Sequence, residues 1–99
     1  GYRVDAKILD ALDFGVPQRR RRVFFVGRLP GWTFSWPKPT HGRGPGLTAP
    51  VTVWEAIGDL PALESDESTD RYGDQPTSAY ARQLRGDCDV LFNHQAPRH

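Results

Sequence analysis

The sequence predicts a chain of mixed secondary structure: an antiparallel strand pair, then a long Gly/Pro-rich loop, then short helices. Three observations carry that expectation. Apolar residues alternate with polar ones at the N-terminus, and a compact apolar run comes after a short connection. Nine Pro and Gly residues then interrupt positions 28–50, and a helix-capping pattern stands directly behind them.

Tyr2, Val4, Ala6 and Ile8 alternate with Arg3, Asp5 and Lys7, the period of two that marks a strand with one buried face. Asp10 to Gln18 reads as a connection, with Gly15 free to take positive φ and Pro17 stiffening the chain. Val23-Phe24-Phe25-Val26 is short, β-branched and aromatic, and is closed by Gly27. Such a run suits a strand covered on both faces. A lone hairpin is marginal in water, so the pair is expected to need a larger sheet.

Residues 28–50 read as a linker, because Pro30, Gly31, Pro37, Pro39, Gly42, Gly44, Pro45, Gly46 and Pro50 forbid a continuous helix or strand. Trp32, Phe34 and Trp36 alternate within it. They either pin the loop to a neighbouring surface or stack on nucleic-acid bases. Thr52-Val-Trp-Glu55 is a capping box, with Thr52 accepting from the Glu55 amide and Glu55 reaching back to the Thr52 amide. A helix is expected from Val53 to about Asp59, with Val53, Ile57 and Leu60 on one side and Pro61 ending it. Residues 62–76 are acidic and turn-rich and read as a mobile surface loop. A second short helix is expected near Ser78 to Arg85, with Tyr80 and Leu84 one turn apart and Gly86 as its stop. Val90-Leu91-Phe92 is a short apolar segment before Asn93-His94.

Composition narrows the function classes. Ninety-nine residues fit one domain at most, and a chain this short buries only about two-thirds of its unfolded surface. The hydrophobic fraction is 37%, under the roughly 45–50% of ordinary domains. Together with the absence of Met, this is the profile expected of an excised piece of a larger protein. The single cysteine, Cys88, excludes an internal disulfide framework. No apolar run reaches the roughly 18 residues of a membrane span, and the N-terminus lacks the apolar core of a signal peptide. A cytoplasmic protein with no membrane partner is expected. Residues 1–50 carry nine bases and three acids, a net of +6, while residues 51–99 carry four bases and nine acids, a net of −5. The basic half is compatible with a polyanion. His41, His94 and His99, with Cys88, lack the paired spacing of a zinc site. No metal is expected, and each His reads as satisfied or solvent-facing.

The strongest local feature is Gln18-Arg19-Arg20-Arg21-Arg22, immediately before the apolar run. Strand alternation points Arg20 and Arg22 one way and Arg19 and Arg21 the other. One pair is then free to enter a site while the other stays in solvent. Arginine suits such a site because its planar, permanently charged fork holds a phosphate or a base carbonyl by two hydrogen bonds. The plainer alternative is a solvated basic turn at a strand entrance.

At these residues the chain resembles a known family. Gly1-Tyr-Arg-Val, Leu9-Asp-Ala and Phe14-Gly-Val-Pro-Gln-Arg-Arg-Arg-Arg-Val-Phe-Phe-Val-Gly27 look like the Gln-x-Arg-x-Arg block of cytosine-5 DNA methyltransferases. Pro37-Lys-Pro-Thr-His41, Val51-Thr-Val-Trp-Glu-Ala-Ile-Gly-Asp-Leu-Pro61, Tyr80 to Arg85 and Asn93-His94 are similar to the region on the C-terminal side of that block in bacterial members, in the same order.

That resemblance implies an α/β fold, a mostly parallel sheet that binds S-adenosylmethionine, with a smaller target-recognition domain behind it. It implies a fragment. Residues 1–29 would be the last, antiparallel strands of the catalytic domain. Residues 30–99 would be the connection and the first part of the recognition region. Gln18, Arg20 and Arg22 match the fixed positions of the motif, and Arg19 and Arg21 its variable ones. The implied site is Arg20 and Arg22 acting on the extruded cytosine, with Gln18, Arg20 and Arg22 contacting DNA. The family also needs a Cys after Pro, a Glu in a Glu-Asn-Val context and a Gly-rich cofactor loop. This sequence has none of them, so no cofactor-binding residue is expected in it, and Cys88, between two Asp, reads as structural or incidental. The implied partners are duplex DNA and the remainder of the catalytic domain. A tRNA-methylating relative, or a small nucleic-acid-binding or interaction module without catalysis, are the competing readings.

Overall fold

Alternation at the N-terminus does produce a strand. In the computed structural model, which describes residues 1–98, β1 spans Arg3–Asp10 and β2 spans Arg21–Arg28. They pair antiparallel in a register running from Arg3 opposite Arg28 to Asp10 opposite Arg21. Opposed residues share a face. Val4, Ala6, Ile8, Val23 and Phe25 therefore make one apolar face, while Asp5, Lys7 and Leu9 lie with Arg22, Phe24, Val26 and Arg28 on the other. The burial expected of these strands is not supplied by this chain. Phe25 is 72% exposed, and Val4, Ile8 and Val23 are exposed as well. A two-stranded sheet has no second layer, so its apolar face has nothing of its own to pack against.

The connection between the strands is more ordered than an irregular loop. Ala11–Phe14 forms a 3-10 turn. The Asp10 side chain caps it by accepting from the Leu12 amide at 3.2 Å. Gly15, at φ 88°, closes it in the left-handed region that suits a residue without Cβ.

The proline-rich segment belongs to the same compact unit, Gly1–Val51. It is tied down at two places. Near its start, the Arg28 guanidinium donates to the Asp5 carboxylate at 3.2 Å and to the Trp32 carbonyl at 3.1 Å. Further on, the amides of Thr40 and His41 both donate to the Asp13 carbonyl at 3.0 Å, and Thr48 and His41 form a β-bridge. Residues 37–41 are thus a strap across the 3-10 turn rather than a free linker. Phe34 and Trp36 meet edge to face at 5.0 Å, and Trp32 and Phe34 line a shallow recess with Tyr2 and Val26. Trp32 and Phe34 nonetheless remain exposed.

The second unit starts at Thr52. Helix α1, Val53–Ile57, begins with the expected capping box, both halves of which are formed. It stops at Ile57, short of the expected Asp59, with the amide of the C-cap Gly58 bonded to the Trp54 carbonyl. Val53 and Ile57 are exposed rather than on a buried face. Helix α2, Ala79–Arg85, has Ser78 as its N-cap and Gly86 as its C-cap, as expected. Its buried residue is Ala81, and Leu84 is exposed. The Ser78 hydroxyl donates to the Glu55 carbonyl, joining the two helices.

Much of this unit is held by polar contacts. Asp59, 4% exposed, is the buried acid, and its carboxylate lies 3.7 Å from the Arg85 guanidinium. Arg85 also donates to the Asp74 carbonyl at 2.7 Å and the Cys88 carbonyl at 3.1 Å, and stacks 3.8 Å from the Tyr72 ring centre. The acidic stretch expected to be a mobile loop is tethered instead. Asp66, Thr69 and Asp70 exchange backbone hydrogen bonds with Ala96, His94 and Leu91, and bridges join Ser68 to Gln95 and Arg71 to Val90.

Candidate functional site

Asp10 and Arg20 stand where the ladder between the strands gives way to the turn. The Ala11 amide donates to the Arg20 carbonyl at 3.0 Å, so pairing continues one step past β2. The Arg20 amide donates to Oδ1 of Asp10, also at 3.0 Å. Both backbone polar groups of Arg20 are therefore held, one by Asp10 at the end of β1 and one by Ala11 at the start of the turn. With its backbone extended there, the side chains from Arg19 onward alternate.

That alternation sorts the arginines. Arg20, Arg22 and Phe24 line one concavity, together with Leu9, Ala11, Phe14 and Pro37. Arg19 and Arg21 line another, beside Ile8, Leu12 and Asp13. Asp10 stands at the edge of both. The first concavity encloses about 240 Å³, well beyond the roughly 30 Å³ that one water takes up in the liquid. Its lining is almost wholly apolar, and its charged residues are Arg20, Arg22 and Asp10. Such a space offers an apolar slot for a flat ring and donors for an electron-rich oxygen at its rim.

None of Arg19, Arg20, Arg21 and Arg22 forms an ion pair among the described residues, whose salt bridges are Arg28–Asp5, Arg85–Asp59 and Arg98–Asp66. One Arg22 nitrogen donates to the Arg21 carbonyl at 2.8 Å. Four unpaired guanidiniums repel one another, and a polyanion relieves that repulsion. Gln18 is exposed at the outer end of the turn and does not line the concavity.

Sequence reasoning did not single out Asp10, Phe14 or Pro37. Asp10 carried a readable signal, since an Asp directly before a short helical turn is a preferred cap. Pro37 carried none, because its place in the wall depends on the strap that crosses the turn.

The other candidate side chains are accounted for locally. Nδ1 of His41 is 2.8 Å from the Thr40 hydroxyl, and Nε2 of His94 is 2.8 Å from the Pro61 carbonyl. Both are satisfied histidines, as expected. His99 lies outside the described residues. Cys88 is a free, exposed thiol donating to the Val90 carbonyl at 3.2 Å. Among the described residues, no three His, Cys, Asp or Glu side chains gather as a metal site, and no helix is long and apolar enough to cross a membrane.

Comparison with known proteins decides the family. The profile described as "C-5 cytosine-specific DNA methylase" matches residues 1–87. The chain belongs to the C-5 cytosine-specific DNA methylase family. Similar members include the type II methyltransferase M.AgeI of Thalassovita gelatinovora, 33% identical over 119 residues that take in 99% of this chain and 28% of that protein. The type II methyltransferase M.DdeI of Desulfomicrobium norvegicum is 35% identical over 101 residues, covering 100% of this chain and 24% of its own length. The type II methyltransferase M.MthTI of Methanothermobacter thermautotrophicus is 42% identical over 86 residues, covering 81% and 24% respectively. The chain thus spans about a quarter of the length of these methylase relatives. The family explains an α/β segment whose strand pair lacks a cover of its own.

Proposed function

We propose that this chain is the segment of a DNA cytosine-5 methyltransferase that presents two arginines to an extruded cytosine. The whole enzyme transfers a methyl group from S-adenosylmethionine to C5 of cytosine in duplex DNA, in the cytoplasm where bacterial DNA lies. Residues 1–29 are the closing strands of its catalytic domain, and residues 30–99 the connection and first part of its recognition region. The remainder of the catalytic domain covers the apolar face of β1 and β2. Taken alone, the chain is inactive, since it has neither the Pro-Cys nucleophile nor the Gly-rich cofactor loop.

The observation that supports this reading is the shared concavity of Arg20 and Arg22, with its apolar lining. A methyltransferase must take its target base out of the stack, at a cost of a few kcal/mol, and an apolar slot with charged donors at its wall repays part of it. When a nucleophile adds at C6, negative charge grows on the cytosine O2. A fixed guanidinium aimed there binds that state more tightly than the ground state, which is what lowers the barrier. A second guanidinium on the flanking phosphate fixes the register. Arg20 and Arg22 share these two roles, and Gln18 adds a contact to the DNA backbone. No residue of this chain is assigned to S-adenosylmethionine, because the Gly-rich cofactor loop is not in the sequence. The cofactor supplies the methyl group from the part of the enzyme outside these residues.

The test is Arg22→Ala in the full-length enzyme. Turnover at saturating DNA is expected to fall on the order of 10²-fold, well beyond the loss of DNA affinity. Unchanged turnover overturns the assignment.

A further inference from the structure

We propose that Asp10 is a positioning residue: its carboxylate replaces the missing ladder partner at the end of β2 and thereby aims the Arg20 side chain into the concavity. The inference rests on the reading of Arg20 given above and extends it to a residue that holds no base.

Regular pairing ends at Asp10 opposite Arg21. Beyond it the chain leaves β1 for the 3-10 turn, so no main-chain carbonyl continues the ladder on that side. The Arg20 amide is met instead by Asp10 Oδ1 at 3.0 Å, and the same oxygen accepts from the Leu12 amide at 3.2 Å. One oxygen atom thus couples the turn that carries Phe14 to the residue that carries the guanidinium. The Ala11 amide, held by the Arg20 carbonyl, closes the arrangement from the other side. Rotation of the Arg20 backbone, which would swing its side chain toward the Arg19–Arg21 face, breaks both bonds. Asp10 forms no ion pair with the arginine cluster among the described residues. What it supplies is an acceptor at a fixed place, and a misplacement of about 1 Å in a catalytic group is enough to cost on the order of 10²-fold in rate.

Geometry and charge make opposite predictions for two conservative variants of the full-length enzyme. Asn keeps an acceptor oxygen at the same reach and loses the charge, whereas Glu keeps the charge and displaces the acceptor by one methylene. Asp10→Asn is expected to retain kcat within about twofold, and Asp10→Glu to lower kcat on the order of tenfold while the KM for DNA changes less. Because Asp10 acts through Arg20, Asp10→Glu combined with Arg20→Ala is expected to be no slower than Arg20→Ala alone. A reversed order of the Asn and Glu variants overturns the inference, as does a double variant slower by the product of the two single effects. Impaired Arg20→Ala beside a fully active Asp10→Glu overturns the inference alone. Full activity in Arg20→Ala overturns the base-holding role of Arg20 and the inference with it.

Discussion

The imidazole of His41 lies directly against Gly15. A Cβ placed on Gly15 would stand 2.7 Å from His41 Cε1, closer than carbon atoms pack, and a tight 3.1 Å from Nε2. Glycine is required there twice, by that approach and by a φ of 88°. A side chain at position 15 would therefore push the His41 ring from its place over the 3-10 turn.

Gly15→Ala is accordingly expected to cost more than the roughly 1–2 kcal/mol of a left-handed alanine, since the His41 ring must also move. Gly31→Ala is the control. Its φ is nearly the same, 86°, and nothing lies within 4 Å of the added carbon. Thermal melting of both variants in the whole enzyme checks this, and equal melting points would contradict it.

Arg85 is the polar centre of the second unit. Its removal leaves Asp59 buried without a partner, which for a buried pair costs about 3–5 kcal/mol. Arg85→Ala should lower the urea midpoint by that scale, and Arg82→Ala, on the exposed side of α2, should barely move it. Replacing Asp59 and Arg85 together by Leu is expected to recover part of the loss, because two apolar residues leave no orphaned charge. A double variant as weak as Arg85→Ala would contradict this account of the pair.

The capping box predicts a pH dependence. The Thr52 amide and hydroxyl both donate to the Glu55 carboxylate, which holds it below its ordinary value of 4.5. A carboxyl held low stabilises the fold above that value and loses its contribution as the pH falls through the lowered one. The stability difference between the parent enzyme and Glu55→Gln is thus expected to be present near neutrality and to shrink below pH 4.5. Denaturant midpoints measured across that range check it, and a difference that does not change with pH would be inconsistent. Thr52→Ala, which removes the hydroxyl that caps the Glu55 amide, should cost about 1 kcal/mol.

The features that could be read from the residues were local. Alternation at Val4, Ala6 and Ile8 and the apolar run at Val23–Val26 located both strands, because side-chain period depends only on neighbours. The same holds for Thr52–Glu55 and for Ser78 and Gly86, whose capping bonds span three or four residues. The hidden features are contacts between segments with no regular period. Asp13 receives two amides from residues 40 and 41, Asp59 meets Arg85 across 26 positions, and Asp66–Asp70 pairs with Leu91–Ala96. Nothing in the composition of the proline-rich or acidic stretches marks those pairings in advance. For the candidate site, alternation was enough to separate Arg20 and Arg22 from Arg19 and Arg21. The strap that brings Pro37 into the wall was not legible.

The two faces of the arginine run give the most direct measurement of the central claim. Single-turnover methylation at saturating DNA is compared for Arg20→Ala/Arg22→Ala and Arg19→Ala/Arg21→Ala in the full-length enzyme, which remove equal charge. The first pair is expected to lose the chemical step by about 10²-fold or more. The second is expected to keep it and to show only weaker, less salt-dependent DNA binding. Equal losses from the two pairs, or a larger loss from the second, would contradict the assignment of Arg20 and Arg22 to the cytosine.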